Sequence, residues 1–241
     1  VTWVVFNRPE KLNALNGEMW KELHEVVSSL SLDGSRAVAF TGVGRAFSAG
    51  DDVYEMASLG DLERSVEFFS RIQKTLEALL ELEKPVIAGV NGLAYGGGCE
   101  LLLLADVVVA SEDAVFALPE ARLGLIPPIA LAVGGYVLGL RRISRLVFTG
   151  EAIDAREALS IGLVDYVVPK EAVRDKVVEV AGKISLNGPG AVKFMRRWLA
   201  RSRSQNIREA LRELSSMAVS DEAVEGMRAF VEKRKPSWAL Q

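Results

Sequence analysis

Residues 93–111 read LAYGGGCELLLLADVVVAS: three glycines in a row, one glutamate, four consecutive leucines and a run of valines. The run is apolar but too short to span a bilayer, and Asp106 interrupts it. It divides better into a Gly-rich turn, a buried helical start and a Val-rich strand, DVVVAS. Gly97 and Gly98 then fall in the first helical turn, where backbone N–H groups lack intrahelical partners. Glu100 follows three residues after Gly97, on the same helical face, with Leu101 to Leu104 behind it.

Outward from this stretch the chain alternates strand-length runs with helices. TWVVFNR, RAVAFTG, PVIAGVNG, DVVVAS and AVFAL are apolar and end at Gly, Asn, Ser or similar breakers. Between them the apolar spacing predicts helices over 17–30 and 61–82. Continuous apolar strands separated by helices predict buried, largely parallel sheets. From 141 onward the pattern is mostly helical. Asp154 reads as a helix N-cap and Gly162 as its end, and further helices are predicted over 171–186, 189–203, 206–219 and 221–234. The organisation is α/β over 1–140 and α over 141–241, with no internal repeat or low-complexity linker.

Composition narrows the chemistry. A single cysteine, Cys99, excludes an internal disulfide and a Cys-based metal cluster. A single histidine, His24, sits in the amphipathic pattern EMWKELHEVVSSL and reads as an ordinary helical residue. Zinc hydrolysis and His-activated nucleophiles are therefore disfavoured, and acid–base work falls to Asp and Glu. Net charge is -3, no global signal for nucleic acid. Residues 1–140 hold 10 Lys+Arg against 19 Asp+Glu and residues 141–241 hold 19 against 13, so the basic excess lies in the helical part. The N-terminus has no signal-peptide pattern, and the chain reads as soluble and cytoplasmic; it opens without Met inside a strand-like run, so residues are expected to precede Val1.

A second Gly-rich loop, GVGRAFSAGDDV, follows a strand at 42–53. Phe47 stands where a dinucleotide fingerprint needs its third glycine, and Ala46 where a nucleophile elbow needs its first. The loop instead offers free backbone N–H groups. Two such loops converging on one point would bind an oxyanion. Glu100 and Glu120, the latter in FALPEARLGLIPP, are the carboxyls placed among apolar residues. Burial raises a carboxyl pKa and suits it to proton transfer near neutrality. Read singly, Glu100 could be a helix N-terminal partner, and Glu120 an ion pair with Arg122.

Together these segments resemble the crotonase superfamily of enoyl-CoA hydratases and isomerases. FNRPEKLNALN, GVGRAFSAGDDV, KPVIAGVNGLAYGGGCELLLLAD, FALPEARLGLIP and DAREALSIGLVDYVVP follow the family's order over nearly the whole chain. The resemblance implies a spiral of ββα units with two roughly perpendicular sheets, then a C-terminal helical trimerisation region. It implies a core over 1–140 with the CoA and active site, an oligomerisation region over 141–241, and a homotrimer or dimer of trimers. The substrate would be an acyl-CoA thioester, with no metal, no redox cofactor, no nucleic acid and no membrane. By position, the N–H groups of Asp51 and Gly97 would form the oxyanion hole. Ala49, Asp51, Asp52, Val53, Tyr54 and Gly97 would line the CoA and thioester site, and Glu100 and Glu120 would be catalytic. Asp at 51 is less usual in the family than Ala or Gly. Both glutamates favour enoyl-CoA hydration over Δ3,Δ2-isomerisation, the runner-up.

The chain departs from the family after LGLIP, where it reads PIALAVGGYVLGLRRISRL, with Pro128 in place of a glycine. The resemblance implies that this segment borders the acyl pocket. A different class of reading, a non-catalytic acyl-CoA or RNA-binding protein, rests on the basic amphipathic stretch KFMRRWLARSRSQNIREALRE at 193–213. There Met195, Trp198, Leu199 and Ile207 are expected to face a helical core or trimer interface, with the arginines in solvent.

Overall fold

In the computed structural model, which describes residues 1–201 and 204–240, each of the five strand-like runs forms a strand. The chain begins β1 (Thr2–Phe6), α1 (Gly17–Leu30), β2 (Val38–Gly42), β3 (Ala46–Ser48), α2 (Val53–Met56) and α3 (Leu62–Glu81). It continues β4 (Val86–Val90), β5 (Leu93–Tyr95), α4 (Gly97–Glu100), β6 (Val107–Ser111) and β7 (Val115–Ala117). The rest is α5 (Pro128–Val137), α6 (Leu140–Thr149), β8 (Ile153–Asp154), α7 (Ala155–Ile161), β9 (Tyr166–Val168), α8 (Val173–Ser185), α9 (Pro189–Ala200), α10 (Ser204–Met217) and α11 (Asp221–Val231).

Among the described residues one sheet runs β1-β2-β4-β6-β9 and a smaller one β3-β5-β7-β8. All neighbours are parallel except β7 and β8. Three successive pairs, β2–β3, β4–β5 and β6–β7, each place one strand in the large sheet and the next in the small one. This is the spiral that the motifs imply. The first two steps turn at glycine: a methyl at Gly42 would meet Ala46 O at 2.2 Å, and one at Gly92 would meet Arg45 O at 2.2 Å.

The helices form where apolar period and caps agree. Trp20, Leu23, Val27 and Leu30 place one face of α1 in the core, and the Asn16 side chain accepts from Met19 N. In α3, Phe68, Phe69, Ile72, Leu76 and Leu79 do the same, with Asp61 as cap. The back of the large sheet, Ala37, Ala39, Ile87 and Val109, packs on Val173, Val177 and Val180 of α8. Asp154 caps α7 and Gly162 ends it at φ 85°, as expected.

Several expectations need correction. The mostly helical half also supplies β8 and β9, one to each sheet. Leu101–Leu104 is a 3-10 turn, so the helix that starts at Gly97 is only one turn long. Arg196, expected in solvent, is 2% exposed, its Nε 2.7 Å from Asp106 Oδ2 and its Nη2 donating to Leu79 O. Phe194, Met195, Trp198 and Leu199 are each more than half exposed on this chain, whereas Ile207 is in the core. The last two residues of the helix expected over 189–203 lie outside the described residues. No described helix is long and apolar enough to cross a membrane.

Candidate active site

The loop after β3 and the turn before α4 touch. Gly50 has φ 87°, and a methyl there would lie 2.8 Å from Tyr95 O and 3.0 Å from Gly97 N. A methyl at Gly98 would lie 2.4 Å from Ser48 O. Only glycine permits this approach. Leu15 N donates to Gly50 O and Asp52 N donates to Leu15 O, which clamps the peptides on either side of Asp51. Gly50 N donates to Ser48 Oγ, whose hydroxyl donates to Asn13 O.

This clamping leaves Asp51 N and Gly97 N without a protein acceptor among the described residues. They lie side by side: a methyl at Gly97 would be 3.7 Å from Asp51 N. Two free N–H groups on residues that line one cavity from separate loops can together donate to a developing negative charge.

The cavity has a volume of about 330 Å³ and is lined by Ala49, Asp51, Val53, Gly97, Glu100 and Glu120, with an apolar wall that includes Leu125, Leu214 and Phe230. Among the described residues no lysine, arginine or histidine lines it. Glu100 is 3% exposed, and its Oε1 accepts from Ala130 N at 2.7 Å, in the first turn of α5. That bond uses one of the N–H groups that a helix start leaves free. Both Glu120 oxygens are buried without a hydrogen-bond partner among the described residues.

Burial raises the pKa of Glu100 well above the usual carboxyl range, helped by the Glu120 charge and opposed by the Ala130 N–H. Burial pushes Glu120 up to about 8. The two carboxyls feel each other's charge and titrate as a pair. The Ala130 N–H favours the anion on Glu100, while Glu120 accepts no such bond among the described residues. Burial also raises the Cys99 thiol, followed by the Glu120 and Glu100 charges, so Cys99 stays protonated and is no nucleophile.

The structure brings Ala49, Asp51, Val53, Gly97, Glu100 and Glu120 together and leaves two expected lining residues outside the cavity. Asp52 instead caps α2 and pairs with Arg8 at 2.5 Å. Tyr54 is half exposed and packs edge-on against Phe230 at the cavity's margin. Arg122 turns away from Glu120, donating to Gly150 O. Pro128 lines the cavity, where the departure from the family pattern was expected to act. His24 is half-buried on α1, outside the cavity. Leu214 and Phe230, far along the chain, were not anticipated; their helices read as a separate region, and only packing brings them here. Among the described residues no group of three His, Cys, Asp or Glu side chains is placed to hold a metal ion.

The fold and cavity define a class of site: two backbone N–H groups, without a protein acceptor among the described residues, beside two buried carboxyls. The sequence profile of the enoyl-CoA hydratase/isomerase family matches residues 1–241. A short-chain-enoyl-CoA hydratase of Clostridium acetobutylicum is 37% identical over 98% of this chain and 92% of its own. A 2,3-dehydroadipyl-CoA hydratase of Escherichia coli is 34% identical over 99% and 94%. A crystal structure of an enoyl-CoA hydratase from Mycobacterium avium subsp. paratuberculosis superposes with a TM-score of 0.85 at 28% identity, covering 98% and 93%. The chain belongs to the enoyl-CoA hydratase/isomerase family, within the crotonase superfamily that its motifs resemble.

Proposed function

We propose that the protein adds water across the 2,3 double bond of a 2-enoyl-CoA thioester. The observation that carries this reading is the unclaimed pair Asp51 N and Gly97 N opening onto the same cavity as Glu100 and Glu120. The names of the relatives support it. The thioester oxygen accepts from both N–H groups, so the double bond is polarised and Cβ becomes electrophilic. Glu100, ionised, takes a proton from water as the water oxygen bonds to Cβ. The π electrons move onto the carbonyl oxygen as an enolate held by the two donors. As the enolate collapses, Glu120 gives its proton to Cα. The proton left on Glu100 returns to Glu120 before the next turnover. Coenzyme A enters as part of the substrate, and no step requires a metal or redox cofactor.

We further infer a homotrimer or dimer of trimers. Its support is the exposed apolar side of α9, where Phe194 and Trp198 stack at 6.1 Å, and the exposed Tyr136, Leu140 and Phe148.

The test is hydration of crotonyl-CoA, followed as loss of the conjugated enoyl absorbance. Glu120→Gln keeps shape and removes the proton donor, so kcat is expected to fall by about 10²–10⁴. Unchanged turnover in that variant would overturn the mechanism. Rapid conversion of a 3-enoyl-CoA with negligible hydration would replace the hydratase with an isomerase. Salt-sensitive RNA binding with no turnover of any acyl-CoA would overturn both.

A further inference from the structure

An oxyanion donor at residue 51 needs only a backbone N–H, yet this chain adds a carboxyl to it. That carboxyl is held. Trp20 Nε1, on the buried face of α1, donates to Asp51 Oδ1 at 2.8 Å. The other oxygen stands over the start of α4, where a methyl at Gly97 would lie 3.2 Å from Oδ2. Asp51 therefore faces the cavity beside both donors, and among the described residues the cavity walls offer no cation to offset its charge.

We propose that the Asp51 side chain is a third working carboxyl of the site: neutral, it leaves the oxyanion hole receptive, and ionised, it opposes the negative charge that forms there. The proposal rests on the hydratase reading and deepens it. Asp51 acts on the enolate through space and is a positioning residue, with Trp20 as its holder.

The surroundings of Asp51 set its titration. On α2 and its cap, Glu55 and Asp52 are like charges that raise it. Each has a partner on its far side: Glu55 accepts from Gly17 N, with Arg71 alongside Gly17, and Asp52 pairs with Arg8. Across the cavity, Glu100 and Glu120 feel the Asp51 charge. From α1 comes only the Trp20 N–H, which favours the ionised form. Burial outweighs that bond and brings Asp51 up to about 6. Asp51, near 6, thus titrates apart from Glu120, near 8. A bound thioester is neutral in the ground state and anionic in the transition state, so the Asp51 charge lowers kcat and spares KM.

The experiment compares pH–rate profiles for crotonyl-CoA hydration by the wild type, Asp51→Asn and Trp20→Phe. Asparagine keeps the backbone N–H and an acceptor for Trp20 but cannot ionise. The kcat ratio of Asp51→Asn to wild type is expected to rise tenfold or more between about pH 5 and about pH 7, with KM little changed. The alkaline limb from Glu120 moves to lower pH in Asp51→Asn, because the Asp51 charge is among its causes. Trp20→Phe moves the Asp51 limb to higher pH, since a bond that favoured the anion is lost. Carbon-13 NMR of the aspartate carboxyls in the wild type, with Asp51 assigned by its loss in Asp51→Asn or Asp51→Ser, reads the ionisation without turnover.

Parallel profiles in wild type and Asp51→Asn, or an Asp51 carboxyl that titrates in the ordinary aspartate range, overturn the proposal and leave the hydratase reading intact. Absence of turnover by the wild type with every 2-enoyl-CoA at every pH overturns the hydratase reading itself and the proposal with it.

Discussion

Glu120 shows at the residue scale how a site trades stability for chemistry. Its carboxyl is buried and unpaired among the described residues, which keeps it neutral at a pH where a surface glutamate is ionised. Folded Glu120 titrates near 8 against an ordinary 4.5. A group whose pKa is raised by folding contributes stability that is full below its unfolded value and is lost as pH rises through its folded value. The wild type is therefore expected to lose Tm between about pH 5 and about pH 8 relative to Glu120→Gln, which has no proton to lose there. Thermal melts of both proteins across that range check this. The same variant is the one expected to lose turnover, so greater stability and lost catalysis should appear in one molecule. Equal pH dependence of Tm in the two would place the Glu120 proton elsewhere.

At the scale of elements, the proposed oxyanion hole depends on two loops that meet at glycine. The methyl of Gly98→Ala would stand 2.4 Å from Ser48 O and 2.8 Å from Ser48 Cβ, so α4 must move away from the loop after β3. Asp51 N and Gly97 N then diverge, and kcat is expected to fall by about 10²–10³, the cost of losing one donor. Steady-state kinetics beside a denaturant melt separate lost geometry from lost folding. The loops were legible in the sequence because their glycines and flanking strands are local signals. So were α1 and α3, where caps and apolar period agree to within a residue of the observed ends. The short strands β3, β5, β8 and β9 were not, because two or three residues carry no period and pairing alone makes them strands. The inward turn of Arg196 on α9 was illegible for a related reason. Its period marks Met195, Trp198 and Leu199 as the apolar side, yet Arg196 and Ala200 turn inward. The Arg196 partner, Asp106, lies just before β6 and 90 residues upstream, a distance that no local pattern bridges.

Over the whole molecule, the C-terminal helices complete the site rather than only following it. Residues 120–123, which begin with Glu120, lie against α11, and Gly226 is where they meet. A methyl there would sit 2.5 Å from both the carbonyl carbon and the oxygen of Leu123. Across the same contact a methyl at Gly124 would reach the backbone of Glu222 and Ala223 at 2.9 Å. Leu214 on α10 and Phe230 on α11 then close the apolar wall of the cavity. Gly226→Ala must push α11 and the 120–123 turn apart. Overpacking of this kind costs about 1–3 kcal/mol of stability. A displacement of about 1 Å in a catalytic group costs about 10² in rate. The expected result is a lower denaturation midpoint together with a kcat loss well beyond tenfold, although no atom of Gly226 belongs to the cavity lining. Gly182→Ala on α8 is the matched control: a methyl there meets nothing within 4 Å. It should gain about 0.4–1 kcal/mol from reduced freedom of the unfolded chain and leave kcat alone. If Gly226→Ala lowers stability but keeps the wild-type kcat, α11 merely covers the site and does not hold Glu120 in place.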